Sequence, residues 1–226
     1  ADGTVMMHSG YEVGVASTKT FTGSLICLLL VALHLANARS SLAKDELSEL
    51  TEQLTHLPRL IGDSTQLNAG TFSNLAKHYS KMRRFLFIGR GLMVPIASEG
   101  AMKLKEISYL QAEGMTAAAM KHGPIALVDA ETPVIAIATN NEYRMKNIGN
   151  INEVLARGGS LTAVISLGDD QLESLVTNAL FVPKAPEILE PIIATIPLQL
   201  LAYHIADYLN LDVDQPRNLA KSVTVE

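Results

Sequence analysis

The apolar and polar positions of this chain fall into two rhythms, and the change between them outlines its elements. Residues 18–37, TKTFTGSLICLLLVALHLAN, are apolar almost all round and predict a helix covered on most sides, started by Ser17 or Thr18 as N-cap. A short strand is expected at 4–7 ahead of it. Residues 43–61 set Leu47, Leu50, Leu54 and Leu57 among charges at helical spacing, with Pro58 near the end, and the polar stretch 63–70 reads as a linker. Beyond it, helices and strands alternate: a helix at 72–81, a strand at 84–88, the turn Gly89-Arg90-Gly91 and a helix entering near Pro95. A strand at 134–139 follows, then a helix over 141–157 that stops on Gly158-Gly159. Strands at 161–166 and 179–182 and a long helix at 187–210 complete the set.

Strands that alternate with helices predict an α/β unit with a doubly wound parallel sheet, covered on both faces. Such sheets bind ligands beyond the carboxyl ends of their strands. The leucine-rich helix at 18–37, with His34 late in it, echoes the one at 189–210, which carries His204. That echo, together with a highly apolar helix preceded by a single strand, leads us to expect that the chain begins in mid-domain. Residues up to about 61 would close a first unit and those from about 72 would form a complete second one.

Composition narrows the classes of function. With 226 residues, 48% of them hydrophobic and 18% charged, the chain can bury a sizeable core. A net charge of −5 with no run of Lys or Arg argues against a nucleic-acid partner, and the absence of Trp removes the usual stacking platform. The single cysteine, Cys27, leaves no disulfide framework and fits a reducing compartment. The most apolar run, 25–36, is short for a bilayer, so no membrane partner is expected. Six histidines without metal-ligand spacing imply no metal site.

Candidate chemistry concentrates in 101–124, AMKLKEISYLQAEGMTAAAMKHGP. Read as a helix, Glu99, Lys103, Glu106 and Glu113 share one stripe beside an apolar one, at the boundary of core and solvent. A carboxylate there, with His122 on a nearby loop, is a candidate general acid/base pair. An amphipathic helix with ordinary i,i+4 ion pairs explains the same pattern, and on pattern alone is favoured. Ser17, Thr18, Thr20 and Thr22 crowd a helix start that could hold an anion, although capping accounts for one or two of them. Gly89-Arg90-Gly91 fits a plain tight turn better than a phosphate cradle. Lys221, in a tail with apolar residues between its charges, is a candidate amine nucleophile if the tail folds back.

The segments GVASTKTFT, FIGRG, EGAMKLKEISY, MKHGPIALVD, PLQLLAYHIA and DVDQPRNLAKSVTVE, taken in order, resemble the isomerase part of the glucosamine-6-phosphate synthase family. The likeness spans nearly the whole chain. It implies flavodoxin-like sugar isomerase (SIS) domains: the end of a first at 1–62 with a linker helix, a complete second at 63–211, and an active-site tail at 212–226. It also implies a cytoplasmic homodimer, without a cofactor, that converts fructose 6-phosphate to glucosamine 6-phosphate with ammonia supplied by a glutaminase domain.

The resemblance further implies roles for particular residues. Glu106 would move a proton between C1 and C2 of the open-chain sugar, and Lys221 would form an imine with the ketone carbon. His122 would assist ring opening, reaching the site of the neighbouring subunit, and Lys103 would stand beside the glutamate. Val15, Ser17 and Ala220 would line the sugar site. A Schiff-base lysine needs desolvation or a nearby cation, for which Arg217 is the expected neighbour. Three features depart from the family pattern. Its serine/threonine phosphate loop and glutaminase cysteine are not in this sequence, and Ala119 stands where relatives often carry a glutamate. These 226 residues alone are therefore expected neither to use glutamine nor to bind fructose 6-phosphate well. Another phosphosugar isomerase or a deglycase of the same fold, or a non-catalytic sugar-phosphate module, are the alternatives; the DQPRNLAKSVTVE ending fits them less well.

Overall fold

The structure, a computed structural model, describes residues 2–222. Its centre is a five-stranded parallel sheet in the order β2-β1-β3-β4-β5, built from β1 (Arg84–Gly89), β2 (Gln111–Thr116), β3 (Val134–Ile137), β4 (Leu161–Ser166) and β5 (Asn178–Val182). The three middle strands read RFLFIG, VIAI and LTAVIS, runs without the polar alternation of a half-wet sheet. Both of their faces are covered: Phe85 and Phe87 pack into one hydrophobic core, while Leu86 and Ile88 pack into the other. The expected doubly wound α/β architecture is therefore present.

Seven helices surround the sheet among the described residues. The larger layer holds α1 (Lys19–Ala38), α2 (Lys44–Leu67), α3 (Thr71–Tyr79), α4 (Met93–Ser108) and α7 (Glu190–Tyr208). On the other face lie α5 (Arg144–Leu155) and the short α6 (Asp170–Leu175), whose start is capped by the Asp169 carboxylate accepting from Leu172 N–H at 3.1 Å. Helix α7 is buried on nearly all sides and forms the spine against which α3 and α4 pack. Chain reversal between β1 and β3 makes that gap the topological switch point of the sheet.

Several expectations change. No strand forms at 4–7, which runs as irregular chain. The expected linker at 63–70 is mostly helix, because α2 continues through Pro58 to Leu67. Its second half is anchored by Leu57, Leu60 and the buried Ser64, and the chain beyond it by Asn68, whose side-chain amide bonds both ways with the Phe181 backbone on β5. The stretch 101–124 is not one helical stripe. Helix α4 ends at Tyr109 in a left-handed cap, φ 62°, and the chain returns as edge strand β2, followed by 3-10 turns at Met120–His122 and Pro124–Leu127. Glu113 therefore sits exposed on β2, away from the stripe of Glu99, Lys103 and Glu106.

Helix α1 departs most from its expected burial. Only Leu29 and Leu33 are buried, and Leu28, Leu30, Val31 and Leu35 face outward, so its likeness to α7 is one of composition and not of environment. At 20 residues and mean hydropathy 1.9 it is long and apolar enough to cross a membrane. In this fold it instead contacts α2 and α7 as part of the larger helical layer.

Candidate active site

A cleft of about 370 Å³ opens between α4, α7, residues 11–19 and the start of the tail. Glu12, Gly14, Lys103, Gln199, Tyr203 and Asp214 are among its walls. The tail does fold back. Val15 N–H donates to the Asp214 carbonyl at 2.9 Å, and a Cβ on Gly14 would stand only 3.2 Å from Asp214 Oδ1, so the two segments lie side by side. Gln199 on α7 fixes the same region by donating to the Thr18 carbonyl at 3.3 Å.

Lys103 is the floor of the cleft. It is almost fully buried, deeper than the core–solvent boundary that periodicity suggests, because α7 covers the face of α4 that carries it. Its Nζ donates to Glu106 Oε2 at 2.5 Å and lies 3.7 Å from Glu99 Oε1. One turn and two turns along α4, the three residues therefore form a line of carboxylate, ammonium and carboxylate. Glu99 is buried, and its Oε1 accepts no hydrogen bond. Burial pushes its carboxyl above the ordinary range; the Lys103 ammonium pulls against this, and the Glu106 charge adds to the rise. Glu106 is half-buried, its carboxylate held by Lys103 and still reachable from solvent. A carboxylate so placed can take and return a proton on a ligand, with the lysine fixing its orientation.

The second group of charges lies on the other wall. Lys221 Nζ donates to Glu12 Oε2 at 2.7 Å and to the Gly14 carbonyl at 2.9 Å, with the Val15 carbonyl at 3.5 Å. Glu12 is also the answer to the crowded helix start. Thr18 makes no side-chain cap; Glu12 Oε1 accepts from the N–H groups of Thr18 and Thr20 at 2.9 and 3.2 Å, and its Oε2 accepts from the Thr20 hydroxyl at 2.5 Å. The anion held there is the chain's own. Burial alone would raise the Glu12 carboxyl, but the bonds from Lys221, Thr20 and the two backbone N–H groups prevail and hold it at about 2.

The expected neighbours of Lys221 are not the observed ones. Arg217 lies over the Tyr109 ring, 4.2 Å from its centroid, and its N–H donates to the Tyr109 hydroxyl at 2.7 Å. Lys221 pairs with a carboxylate and is half exposed.

The remaining candidates are spread more widely. Val15 meets the tail through its backbone at both N–H and carbonyl, whereas Ser17 turns its hydroxyl to Thr20 at 2.5 Å; Ala16 and Thr18, not these two, line the cleft. Ala220 is exposed next to Lys221. His122 is exposed on the 3-10 turn after β2; Glu106, Ala220 and Lys221 are, like it, not among the residues that line the cleft, although Glu106 and Lys221 bond to residues that do. Sequence reasoning did not single out Glu12, and it placed Glu99 on the stripe without a role. A carboxylate six residues ahead of a hydroxyl-rich helix start was the available signal for the first.

The switch point of the sheet offers a contrasting location. Its Gly89-Arg90-Gly91 turn is covered by Tyr143, whose ring would meet a Cβ on Gly91 at 2.4 Å. Arg90 is engaged with Asn150 Oδ1 at 2.9 Å. Glu190, buried at the start of α7, accepts from the Thr139 hydroxyl at 2.7 Å just beyond β3. The turn reading of Gly89-Arg90-Gly91 holds, with its backbone turned toward an aromatic ring.

A five-stranded doubly wound sheet with its polar cleft displaced onto α4 defines a class that sequence comparison names. The SIS domain model matches residues 78–206, and the chain belongs to that family. Among curated proteins it is 46% identical over 220 residues to a glutamine–fructose-6-phosphate aminotransferase (isomerizing) of Thermus thermophilus, covering 97% of this chain and 36% of that protein. The corresponding protein of Gloeobacter violaceus is 49% identical over 219 residues, with the same shares. The chain thus spans about a third of the length of these relatives. Among solved structures, the C-terminal domain of glucosamine-fructose-6-phosphate aminotransferase from Francisella tularensis superimposes with a TM-score of 0.87 at 38% identity, covering 93% of this chain and 59% of that one. A glucosamine-6-phosphate deaminase of Thermotoga maritima, 21% identical with a TM-score of 0.67 and covering 95% of this chain and 59% of that one, shares the fold.

Proposed function

We propose that this chain is the isomerase part of a glutamine–fructose-6-phosphate aminotransferase, acting on fructose 6-phosphate in the cleft between α4 and the tail. The observation that carries the reading is one cleft that has Lys103, the partner of Glu106, in its floor and Glu12 and Gly14, the partners of Lys221, in its wall. The named relatives, similar over 97% of the chain, support it. On this reading 1–62 close a first SIS unit, 63–211 form the second and 212–226 are the active-site tail, of which 223–226 lie outside the described residues.

The chemistry follows from which groups can do what. The neutral amine of Lys221 adds to the C2 ketone of the open-chain sugar, and loss of water from the carbinolamine leaves an imine. Ammonia from a glutaminase domain adds to the C2 imine and expels the Lys221 amine, leaving the sugar with its own C2 imine. Glu106, its carboxylate oriented by Lys103, then takes a proton from C1 and returns one to C2, giving the C1 aldehyde and C2 amine of glucosamine 6-phosphate. His122, exposed and away from the cleft walls, serves ring opening in the site of a partner subunit of a homodimer. The setting is cytoplasmic, as a lone cysteine fits.

Cyanoborohydride reduction of the intact protein with fructose 6-phosphate tests the reading. The expected result is a hexose phosphate adduct on Lys221 by peptide mass spectrometry. No adduct there, with sugar isomerisation retained by Lys221→Ala, would overturn it.

A further inference from the structure

Glu12 has no part in the chemistry above, yet it binds more of the site than any other side chain. Its carboxylate is tied down from three directions: two backbone N–H groups of the first turn of α1, the Thr20 hydroxyl and the Lys221 ammonium. Its side chain is 6% exposed, while that of Lys221 is 49% exposed, so the anchor is in the fold and the tail comes to it. Lys221 finds three oxygens around its Nζ, from Glu12, Gly14 and Val15, and an ammonium has three donors to offer. That set suits a charged amine, and nothing in it calls for a neutral one.

We propose, building on the imine role of Lys221, that Glu12 is a positioning residue that stores the tail lysine: its carboxylate holds Lys221 against the 14–15 backbone, closing the tail over residues 12–15 as a latch that must open before the amine can meet a ketone. The partners are 209 residues apart in sequence, and the contact is the single described ion pair between the tail and the body of the fold. The Val15–Asp214 backbone bond and the Arg217–Tyr109 contacts hold the tail upstream of the latch, so Lys221 can leave Glu12 while the segment at 212–217 stays docked. Glu12 is also unsuited to receive the lysine's proton, because the Thr20 hydroxyl and the two α1 N–H groups that favour its carboxylate form remain when Lys221 departs. The amine must lose its proton to water or to another base after release. Storage and activation are thus separate steps at separate places.

Competitive acylation with trace acetic anhydride, read by peptide mass spectrometry on the intact protein without sugar, tests the latch. The rate at Lys221 is measured against exposed Lys146 on α5, the opposite layer of the fold. In Glu12→Gln, which keeps an oxygen for the α1 N–H groups, the relative rate at Lys221 should rise about three- to fivefold, the range an ion pair of this exposure supports. Glu12→Asp, shorter by one methylene but still charged, should fall between, and it decides the matter if circular dichroism shows that Glu12→Gln does not fold. Equal rates in wild type and the folded variants would overturn the latch. The sugar adduct separates the two claims. Faster acylation with no cyanoborohydride adduct in any variant leaves the latch and removes the imine; an adduct with unchanged acylation does the reverse.

Discussion

The sheet's switch point and the α4 cleft are two places in one fold where a ligand site could be built, and they have been treated in opposite ways. At the switch point Arg90 and Glu190 are engaged inside the protein, by Asn150 and Thr139, and Tyr143 fills the space over Gly91. Around the cleft the charges are held but not used up. Glu106 and Lys221, bonded to Lys103 and Glu12 in its walls, each keep a solvent-facing side. The general rule for doubly wound sheets points to the first place. The residues point to the second. A fold supplies several pockets, and the chemistry of the side chains decides which one remains open.

The strongest way to break this contrast is to disable each place in turn. Glu106→Gln should lower C1–C2 proton exchange on fructose 6-phosphate in the intact protein by about 10²- to 10⁴-fold, the usual worth of a positioned acid/base group. Arg90→Ala should leave exchange within about twofold of wild type, its loss limited to one side-chain hydrogen bond worth roughly 1 kcal/mol of stability. Tritium or deuterium exchange at C1 and C2 reads both. A large loss in Arg90→Ala with none in Glu106→Gln would move the site to the switch point.

A smaller effect, on stability, tests whether the α4 line is a unit. Lys103→Met removes the one cation between two carboxylates and should cost about 3 kcal/mol in urea unfolding, at the low end for a buried pair because Glu106 reaches solvent. Adding Glu99→Leu should recover part of that loss, since the charge left behind is then gone. Additive losses in the double variant would mean that Glu99 and Lys103 are not coupled.

The smallest effect concerns pH at the switch point. Burial raises the Glu190 carboxyl above its ordinary 4.5, bonds from Thr139 and Asn141 offset part of the rise, and the Glu187 charge adds to it. A group whose folded value is raised stabilises the fold below its unfolded value and loses that contribution as pH climbs through the folded one. Glu190→Gln should therefore match wild type near pH 4 and exceed it at pH 8 by on the order of 1 kcal/mol, with the Thr139 bond kept by the amide oxygen. Urea midpoints at the two pH values check this. A difference that shrinks toward high pH would reverse the sign.

Much of the sheet was legible in the sequence because buried parallel strands are apolar throughout. The strand expected at 161–166 is β4 to the residue, and β1 differs from its expectation only by Gly89. Strand β2, QAEGMT, gave no such signal. It is an edge strand with exposed Gln111 and Glu113, and its glycine is needed because Ser98 of α4 would lie 2.3 Å from a Cβ at Gly114. Close packing of a helix on bare backbone leaves no apolar trace to read. Helix α6 is six residues long and hardly amphipathic, so it too was missed. In the candidate site, Lys103 and Glu106 were visible because three residues on a helix is a local relation. Glu12 was not, because what makes it matter is a lysine at the far end of the chain. The burial of α1 was overread: its apolar residues imply cover, and within these residues the cover reaches only Leu29 and Leu33.

Tyr109 has a consequence beyond ending α4. Its left-handed backbone stops the helix three residues after Glu106, and its hydroxyl and ring hold Arg217, four residues before Lys221. Glu106 and the place where Glu12 holds Lys221, the proposed base and the proposed store of the amine, are thus surveyed from the same peg. Upstream, the Val15–Asp214 bond docks the chain as well, and between Arg217 and Lys221 it works as a tape of set length. One residue added to that tape displaces the amine by up to about 3.5 Å. Hydrogen bonds tolerate a few tenths of an ångström, so the tail's spacing, as much as its composition, is part of what the site is made of.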